Sequence, residues 1–348
     1  MRYTFGNLCK NTQIGAGQDN FPQLQTSDAL TDLQGCFISF NVRSFPTNGL
    51  PFSNTSKVTN WSIVFSGANR LESIGNLDTS SATTMAKLFN NCNKLTAVPL
   101  MDTSNVVSLN TTFEKCSSLT SLPALNTSKV TDFRNVISGC TALTVFPAWD
   151  YSSATNMSNA FSNCPLPTSF PLIDTSSCTI FYQTWWKCNG LTTFPQINTS
   201  ACDNFFNAWQ ECESLTAFPA LDFNLGTRFA ATWRRCSSLT SFPSVTFNSG
   251  TEFIDAWREC TSLADFPANA FDSTGTLLSN SFDEAFKDCA LTAASIENIL
   301  VSLDTNGQSN ILLGIDGGTN AAKSTWTTAA NTAYANLISK GWTISYNP

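Results

Sequence analysis

Histidine is absent from this chain of 348 residues. That excludes Ser-His-Asp and Cys-His nucleophile systems and removes the commonest protein ligand for transition metals. Charge is scarce too. Asp, Glu, Lys and Arg make up 12% of the residues, about half the usual share, so solubility rests on Ser, Thr and Asn. The net charge is −7 at pH 7. Without clustered Lys and Arg, neither nucleic acid nor an anionic membrane is expected as a partner. No apolar run approaches the ~20 residues of a spanning helix, so membrane insertion is not expected. The opening residues Met1 to Lys10 interrupt their apolar positions and offer no cleavage site, so no signal peptide is expected there. A phosphate loop is missing, and Gly314-Ile315-Asp316-Gly317-Gly318 lacks the spacing of a dinucleotide fingerprint and reads as a turn. The expectation is a protein that is not an enzyme, with no catalytic residue, cofactor or metal.

What the chain does have is periodicity. Cys92, Cys116, Cys140, Cys164, Cys188, Cys212, Cys236 and Cys260 stand 24 residues apart without a slip. A fixed period of this length marks a stacked repeat, each unit burying its apolar face on its neighbours. Three residues after the cysteine comes leucine in most copies (Leu95, Leu119, Leu143, Leu191, Leu215), and six after comes a larger apolar residue followed by proline (Val98, Phe146, Phe194, Phe242). Seven and three residues before it sit further apolar positions, as in Phe205 and Trp209 before Cys212. With the cysteine these form an i, i+4, i+7 stripe, which predicts two helical turns facing inward. The preceding Asp/Asn-Thr-Ser suits a helix start, and Leu-Thr-x-Phe-Pro reads as a short strand closed by proline.

One strand and one helix per repeat make consecutive strands parallel, joined by right-handed crossovers. The fold class expected is α/β: a right-handed leucine-rich-repeat solenoid, with a parallel sheet on one side, short helices on the other and a helix-containing C-terminal cap. The organisation expected is an N-terminal cap or attachment segment at 1–20, a solenoid of about 10–11 repeats at 21–289, and an α/β C-terminal cap at 290–348. The early copies are degenerate. Ala68 takes the cysteine slot, and Phe21-Pro22-Gln23-Leu24 through Cys36 reads as a copy three residues short. In the cap, helices are expected over 295–303 and 321–340 and strands over 311–315 and 342–346, a layer that shields the last sheet edge.

Thirteen cysteines could signal a disulfide scaffold, but scaffolds pin irregular loops, whereas these fill one slot that Ala68 also fills. They are expected to be small buried hydrophobes, unbridged and without metal. Asp78 and Asp102, like Asp150 and Asp174, are one period apart, which stacking would bring to the ~5 Å of a retaining glycosidase pair. Asn126 and Asn198 fill equivalent slots, so capping explains the whole column and catalysis only part of it. Arg234, Arg235 and Arg258 are expected on a solvated face. Trp185, Trp209, Trp233 and Trp257 could form a sugar-stacking platform, although their slot on the inward stripe favours core packing; Trp186 is the better candidate for exposure. Thr96, Thr120, Thr144, Thr168, Thr192, Thr216 and Thr240 fall outside the apolar offsets and are expected to face solvent. Such a hydroxyl row can bind a glycan, a protein surface or ice, or can simply reflect β-propensity on a polar face. With Trp186, these threonines are the candidate ligand-facing residues.

The string Asp/Asn-Thr-Ser-x-Val-Thr, then Phe-x-x-Cys-x-x-Leu-Thr-x-Phe-Pro, resembles the BspA-like branch of leucine-rich repeats over about residues 21–289. The frequent Phe-Pro and the tryptophans depart from its commonest pattern. Residues 291–346 look like a cap that accompanies such repeats in bacterial and bacteriophage proteins. The resemblance implies attachment to cells, matrix or partner proteins, with no catalysis in the repeats and no binding residue that can be carried over. Together with the absence of a recognisable leader, it leads to the expectation of a phage adhesin or receptor-binding protein. Such a protein would be made in the host cytoplasm and displayed on a tail or capsid beside other virion proteins, where it could assemble in several copies and recognise a host surface glycan or protein. The alternatives are a structural decoration protein, a cellular surface adhesin and a glycan-degrading spike.

Overall fold

The computed structural model describes residues 30–40, 43–45 and 54–348. The expected attachment segment at 1–20 and the copy beginning at Phe21 lie outside the described residues, apart from the latter's end at Cys36. The chain divides into two compact units, Met1–Pro167 and Thr168–Pro348. The division falls at Pro167, which takes the slot that holds leucine in most coils.

Within each unit the chain returns every 24 residues to hydrogen-bond with itself. Parallel bridges join Asn60 to Thr84, Thr84 to Ser108, Ser108 to Asp132 and Asp132 to Asn156 in the first unit, and Ile180 to Asn204, Asn204 to Arg228 and Arg228 to Glu252 in the second. The first step is longer. Asp32 bridges to Asn60, Phe37 N–H donates to the Val64 carbonyl, and the Phe37 ring stacks on Phe65 at 5.6 Å. Cys36 therefore occupies the slot of Val64 and not that of Ala68, which corrects the register read from the sequence.

The segment before each ladder cysteine is not the short helix that its spacing predicts. Among the described residues no α-helix precedes Ala293. Backbone donors alternate instead. The N–H groups of Met85, Lys87, Phe89 and Asn91 reach the carbonyls of Ser108, Asn110, Thr112 and Glu114 one coil on, at 2.8–3.2 Å, while those of Leu88, Asn90 and Cys92 turn back three residues. Two residues per coil, five and one before the cysteine, have left-handed φ, as at Lys87 (59°) and Asn91 (59°) or Gln183 (53°) and Lys187 (60°). These are tandem turns. The reason is space: coils joined by backbone hydrogen bonds stand about 4.8 Å apart, and an α-helix is about 10 Å across. The turns still send the residues seven, four, three and zero before the cysteine inward, so Met85, Leu88, Phe89 and Cys92 are all fully buried.

A left-handed φ strains any residue with a Cβ. Lys87 is exposed and carries that strain at the surface. Lys87→Gly is therefore expected to stabilise the fold by about 0.5–1 kcal/mol after the glycine's extra unfolded-state entropy is subtracted. The reading is a higher urea midpoint at unchanged slope.

Polar groups tie coil to coil as well. Buried Thr79, Thr103 and Thr127 donate their hydroxyls to the carbonyls of Asp102, Asn126 and Asp150 at 2.7–2.9 Å, and Thr175 and Thr199 do the same to Asn198 and Asp222. Twelve cysteines are buried and unbridged among the described residues; the thirteenth, Cys9, lies outside them. They do more than fill space. The Sγ atoms of Cys92, Cys116 and Cys140 lie 3.1 Å from the carbonyl oxygens of Phe65, Phe89 and Phe113. Those of Cys212, Cys236, Cys260 and Cys289 lie 3.0–3.2 Å from Trp185, Trp209, Trp233 and Trp257. A thiol fits here because it is apolar enough for the core yet still donates weakly to a buried carbonyl.

The second unit has an aromatic core in columns. Trp185, Trp209, Trp233 and Trp257 stack at 5.0, 6.0 and 5.2 Å. Phe194, Phe218, Phe242 and Phe266 form a second stack that meets the tryptophans edge-on, as with Trp209 and Phe218 at 4.9 Å and 79°. Both geometries suit the ring quadrupole. Phe223 and Phe247 take the slot of Thr199, and three residues on Cys202 gives way to Gly226 and Gly250, where a Cβ would collide with the rings of Phe229 and Phe253.

After the last coil, α1 (Ala293–Asn306) leads to β1 (Leu312–Ile315), a short 3₁₀ turn (Lys323–Thr325), α2 (Thr328–Ser339) and β2 (Thr343–Tyr346). β1 and β2 pair in parallel, and Leu313 bridges back to Phe282. Gly314 permits that approach, since a Cβ there would meet the Glu284 backbone at 2.6 Å. Where a further coil would offer carbonyls, side chains take over: Ser295 and Ser302 of α1 accept the N–H groups of Phe266 and Phe271 at 2.9 and 2.8 Å, and Gln308 accepts that of Leu277 at 2.7 Å. Buried N–H groups that would otherwise be orphaned are thus satisfied.

Candidate binding surface

All seven threonines singled out in the sequence (Thr96, Thr120, Thr144, Thr168, Thr192, Thr216 and Thr240) are exposed. The first three belong to one unit and the last four to the other. The hydroxyl protons of Thr96, Thr144, Thr192 and Thr216 are engaged. Thr96 Oγ1 donates to the Glu72 carbonyl and Thr144 Oγ1 to Thr120, both at 3.2 Å; Thr192 Oγ1 donates to Thr168 at 3.1 Å and Thr216 Oγ1 to Thr192 at 3.2 Å. The backbone N–H of the same residue reaches the same carbonyl, at 2.9 Å for Thr192. An oxygen held in this way keeps lone pairs that can accept from solvent or ligand. Within each unit the threonines bonded in this way are thus fixed acceptors.

A second row went unselected in the sequence. Thr59, Thr83 and Thr155 donate their hydroxyls to the carbonyls of Thr31, Thr59 and Thr131 at 3.2–3.3 Å, and Thr227 and Thr251 to those of Asp203 and Thr227 at 3.2 and 3.1 Å. The signal was the threonine that ends Asp/Asn-Thr-Ser-x-Val-Thr, one residue before each bridge position. Exposed Val107 and Asp203 interrupt this row.

Trp186 is half-buried, with the Lys187 ammonium 4.6 Å from its ring centroid. On the same unit Tyr182 stacks on Phe206 at 5.4 Å, and the Arg228 guanidinium covers Phe206 at 5.7 Å. These rings form a partly exposed aromatic surface on the coils of that unit. Trp185, Trp209, Trp233 and Trp257, by contrast, have no accessible surface, so they cannot serve as a sugar platform.

The aspartate column has a structural task. Asp78, Asp102, Asp150 and Asp174 each accept the N–H two residues on, from Ser80, Ser104, Ser152 and Ser176, at 2.9–3.2 Å, and Asn126 and Asn198 accept from Ser128 and Ser200 at 3.3 and 3.0 Å. These are Asx turns. The Ser104 side chain, then its backbone N–H, hold Asp102 below the usual carboxylate range, and the Ser176 N–H does the same for Asp174. A carboxyl kept ionised suits a turn and not a general acid.

The arginines expected on a solvated face are ion-paired. Arg234 approaches Asp255 and Glu259 at 3.6 and 3.5 Å, Arg235 approaches Glu259 at 2.6 Å, and Arg258 approaches Asp255 and Glu259 at 3.3 Å and also pairs with Glu284. Burial pushes Glu259 up, but Arg235, Arg234 and Arg258 outweigh it and the net shift is downward. Among the described residues no group of three or more Cys, Asp or Glu is placed to hold a metal ion, and no helix is long and apolar enough to cross a membrane.

Residues 31–144 and 64–170 match the family model described as "Mycoplasma protein of unknown function, DUF285". The two matches overlap, as happens when a repeating unit fits a model in more than one register. That family is related to the BspA-like repeat proteins, so the matched coils are similar to a repeat family of that group. No curated protein and no solved structure matches the chain.

Proposed function

We propose that each unit is a right-handed solenoid of the leucine-rich-repeat kind, with tandem turns in place of helices, and that the chain is a non-enzymatic binding protein. It recognises a host surface glycan or protein through the exposed threonines of its units and, on the second unit, the ledge around Trp186. The observation that carries this reading is the exposed threonines of each unit, tied coil to coil by their own hydroxyls where Thr144 donates to Thr120 in the first unit and Thr192 and Thr216 donate to Thr168 and Thr192 in the second. Fixed acceptors favour a ligand rich in hydroxyl or amide donors, and the half-buried rings of Trp186, Tyr182 and Phe206 favour the apolar face of a sugar. The low charge suits neither nucleic acid nor an anionic membrane as partner.

The setting we propose is a phage virion, where the chain sits among other virion proteins as an adhesin or receptor-binding protein. The resemblance of residues 291–346 to caps shared by bacterial and phage repeat proteins supports it. A cellular surface adhesin is the second reading, favoured by the match to a family described from Mycoplasma. Purified chain is expected to bind intact bacterial cells or isolated envelope glycan, and Thr192→Lys with Thr216→Lys is expected to weaken that binding at least about tenfold without loss of fold. Tight association with particles without cell binding would instead identify a decoration protein. Release of reducing ends that is abolished by Asp102→Asn would identify a glycan-degrading spike.

A further inference from the structure

A second cluster of aromatic side chains lies well away in sequence from the threonine rows, in the segment around α2 and β2. Lys323, in the short 3₁₀ turn, places its ammonium 3.5 Å from the Tyr334 ring centroid, 4.7 Å from Tyr346 and 5.9 Å from Trp326. The three rings surround it edge to face, 5.5–5.9 Å apart and inclined at 60–87°. The frame is fixed on each side. The Lys323 N–H donates to the Asn347 carbonyl at 2.8 Å, and the Trp326 indole N–H donates to Ala321 at 3.1 Å. Trp326 is buried, whereas Tyr334 and Tyr346 are half-exposed, so the cage has a floor and an open side. The Tyr334 hydroxyl first, then the Lys323 ammonium, pull the Tyr346 phenol below its usual range.

Lys323 makes no ion pair among the described residues, although the chain is acidic overall. A cation held by ring faces without a carboxylate is the arrangement by which proteins recognise alkylated ammonium groups. A primary ammonium is a demanding occupant, because it is strongly hydrated and gives up water to enter. A quaternary ammonium keeps the charge, carries methyl groups against the rings and forfeits less hydration.

We propose that Trp326, Tyr334 and Tyr346 form a binding site for a quaternary ammonium group, held shut by the side chain of Lys323. The lysine is a built-in competitor. A ligand must displace it, and removing it should open the site.

Calorimetric titration of the full chain with choline chloride, against sodium chloride as control, tests this. Saturable binding is expected for the wild type and binding about tenfold tighter for Lys323→Ala. Lys323→Gln, which retains the side-chain stem, covers the case in which Lys323→Ala fails to fold. Tyr334→Ala in the Lys323→Ala background is expected to abolish binding while circular dichroism stays native. Phosphatidylcholine vesicles separate the sources: co-sedimentation that Tyr334→Ala removes assigns a lipid headgroup, and choline binding without co-sedimentation assigns a free ligand. No saturable heat with the wild type and either Lys323 variant, or equal affinity with and without the lysine, would overturn the proposal.

Discussion

Raised from pH 8 to pH 11, the protein is expected to lose stability steeply and unfold within about one to two pH units above 9. Burial pushes Cys92, Cys164 and Cys236 up to about 12. Burial first, with neighbouring thiols adding to it, raises Cys116, Cys140, Cys212 and Cys260 well above 9.0. Below the unfolded value both states keep their protons and the thiols exert no pH dependence. Above it the unfolded chain ionises while the folded core cannot, so the native state binds more protons and stability falls as pH rises. Each such thiol contributes about 1.4 kcal/mol per pH unit in that window. Seven of them acting together give a slope on the order of 10 kcal/mol per pH unit. Urea unfolding at pH 7, 9 and 10 measures it, and a disulfide exchange reagent at pH 7 should label none of the twelve described cysteines until the protein is unfolded. A profile that stays flat from pH 8.5 to 10.5 would show that the thiols are not buried together.

Trp233→Ala should remove about 3–5 kcal/mol from the second unit. The ring stacks between Trp209 and Trp257 at 6.0 and 5.2 Å and meets Phe218, Phe223 and Phe242 edge-on at 5.6, 5.5 and 4.9 Å. No neighbour can collapse into the space without breaking another stack, so the cavity persists. The indole N–H has no hydrogen-bond partner. Trp233→Phe, which leaves a smaller void and removes an unsatisfied donor, should therefore cost far less than the alanine. Trp186→Ala should cost under about 1 kcal/mol, because that ring is half exposed. Chemical denaturation of the three variants checks the order, and equal losses for Trp186→Ala and Trp233→Ala would contradict the division between surface and core.

The register of the coils could be read from cysteine spacing alone, because burial repeats wherever the backbone repeats. The ladder cysteines, Leu95, Leu119 and Phe218 fall in the core where their offsets put them, and the threonines fall outside it. The local conformation before each cysteine could not be read in that way. Residues at 85, 88, 89 and 92 share a face in a helix and equally in tandem turns with left-handed residues at 87 and 91. What separates the two is the space between coils, and no single repeat contains that information. For the same reason Cys36 was placed four slots late: its coil is longer, and only the Phe37 to Phe65 pairing sets the register. In α2 the apolar pattern reaches back to Ala321, but the Thr327 hydroxyl accepts the Ala330 N–H at 3.1 Å and starts the helix at Thr328, leaving Lys323 free to enter the aromatic cage. Among surface columns, the sequence showed which residues faced out and could not show that their hydroxyl protons were already bound.

The four stacked indoles of the second unit give it an optical property. Trp185, Trp209, Trp233 and Trp257 lie face to face at 5.0–6.0 Å with planes within 5–9° of parallel. Transition dipoles this close and this aligned do not absorb independently. The near-ultraviolet absorption of the folded chain should carry an exciton shift that free tryptophan lacks, and excitation should pass from ring to ring before it is emitted. Both signals depend on the alignment of successive coils, so they report slippage between coils before any loss of backbone structure.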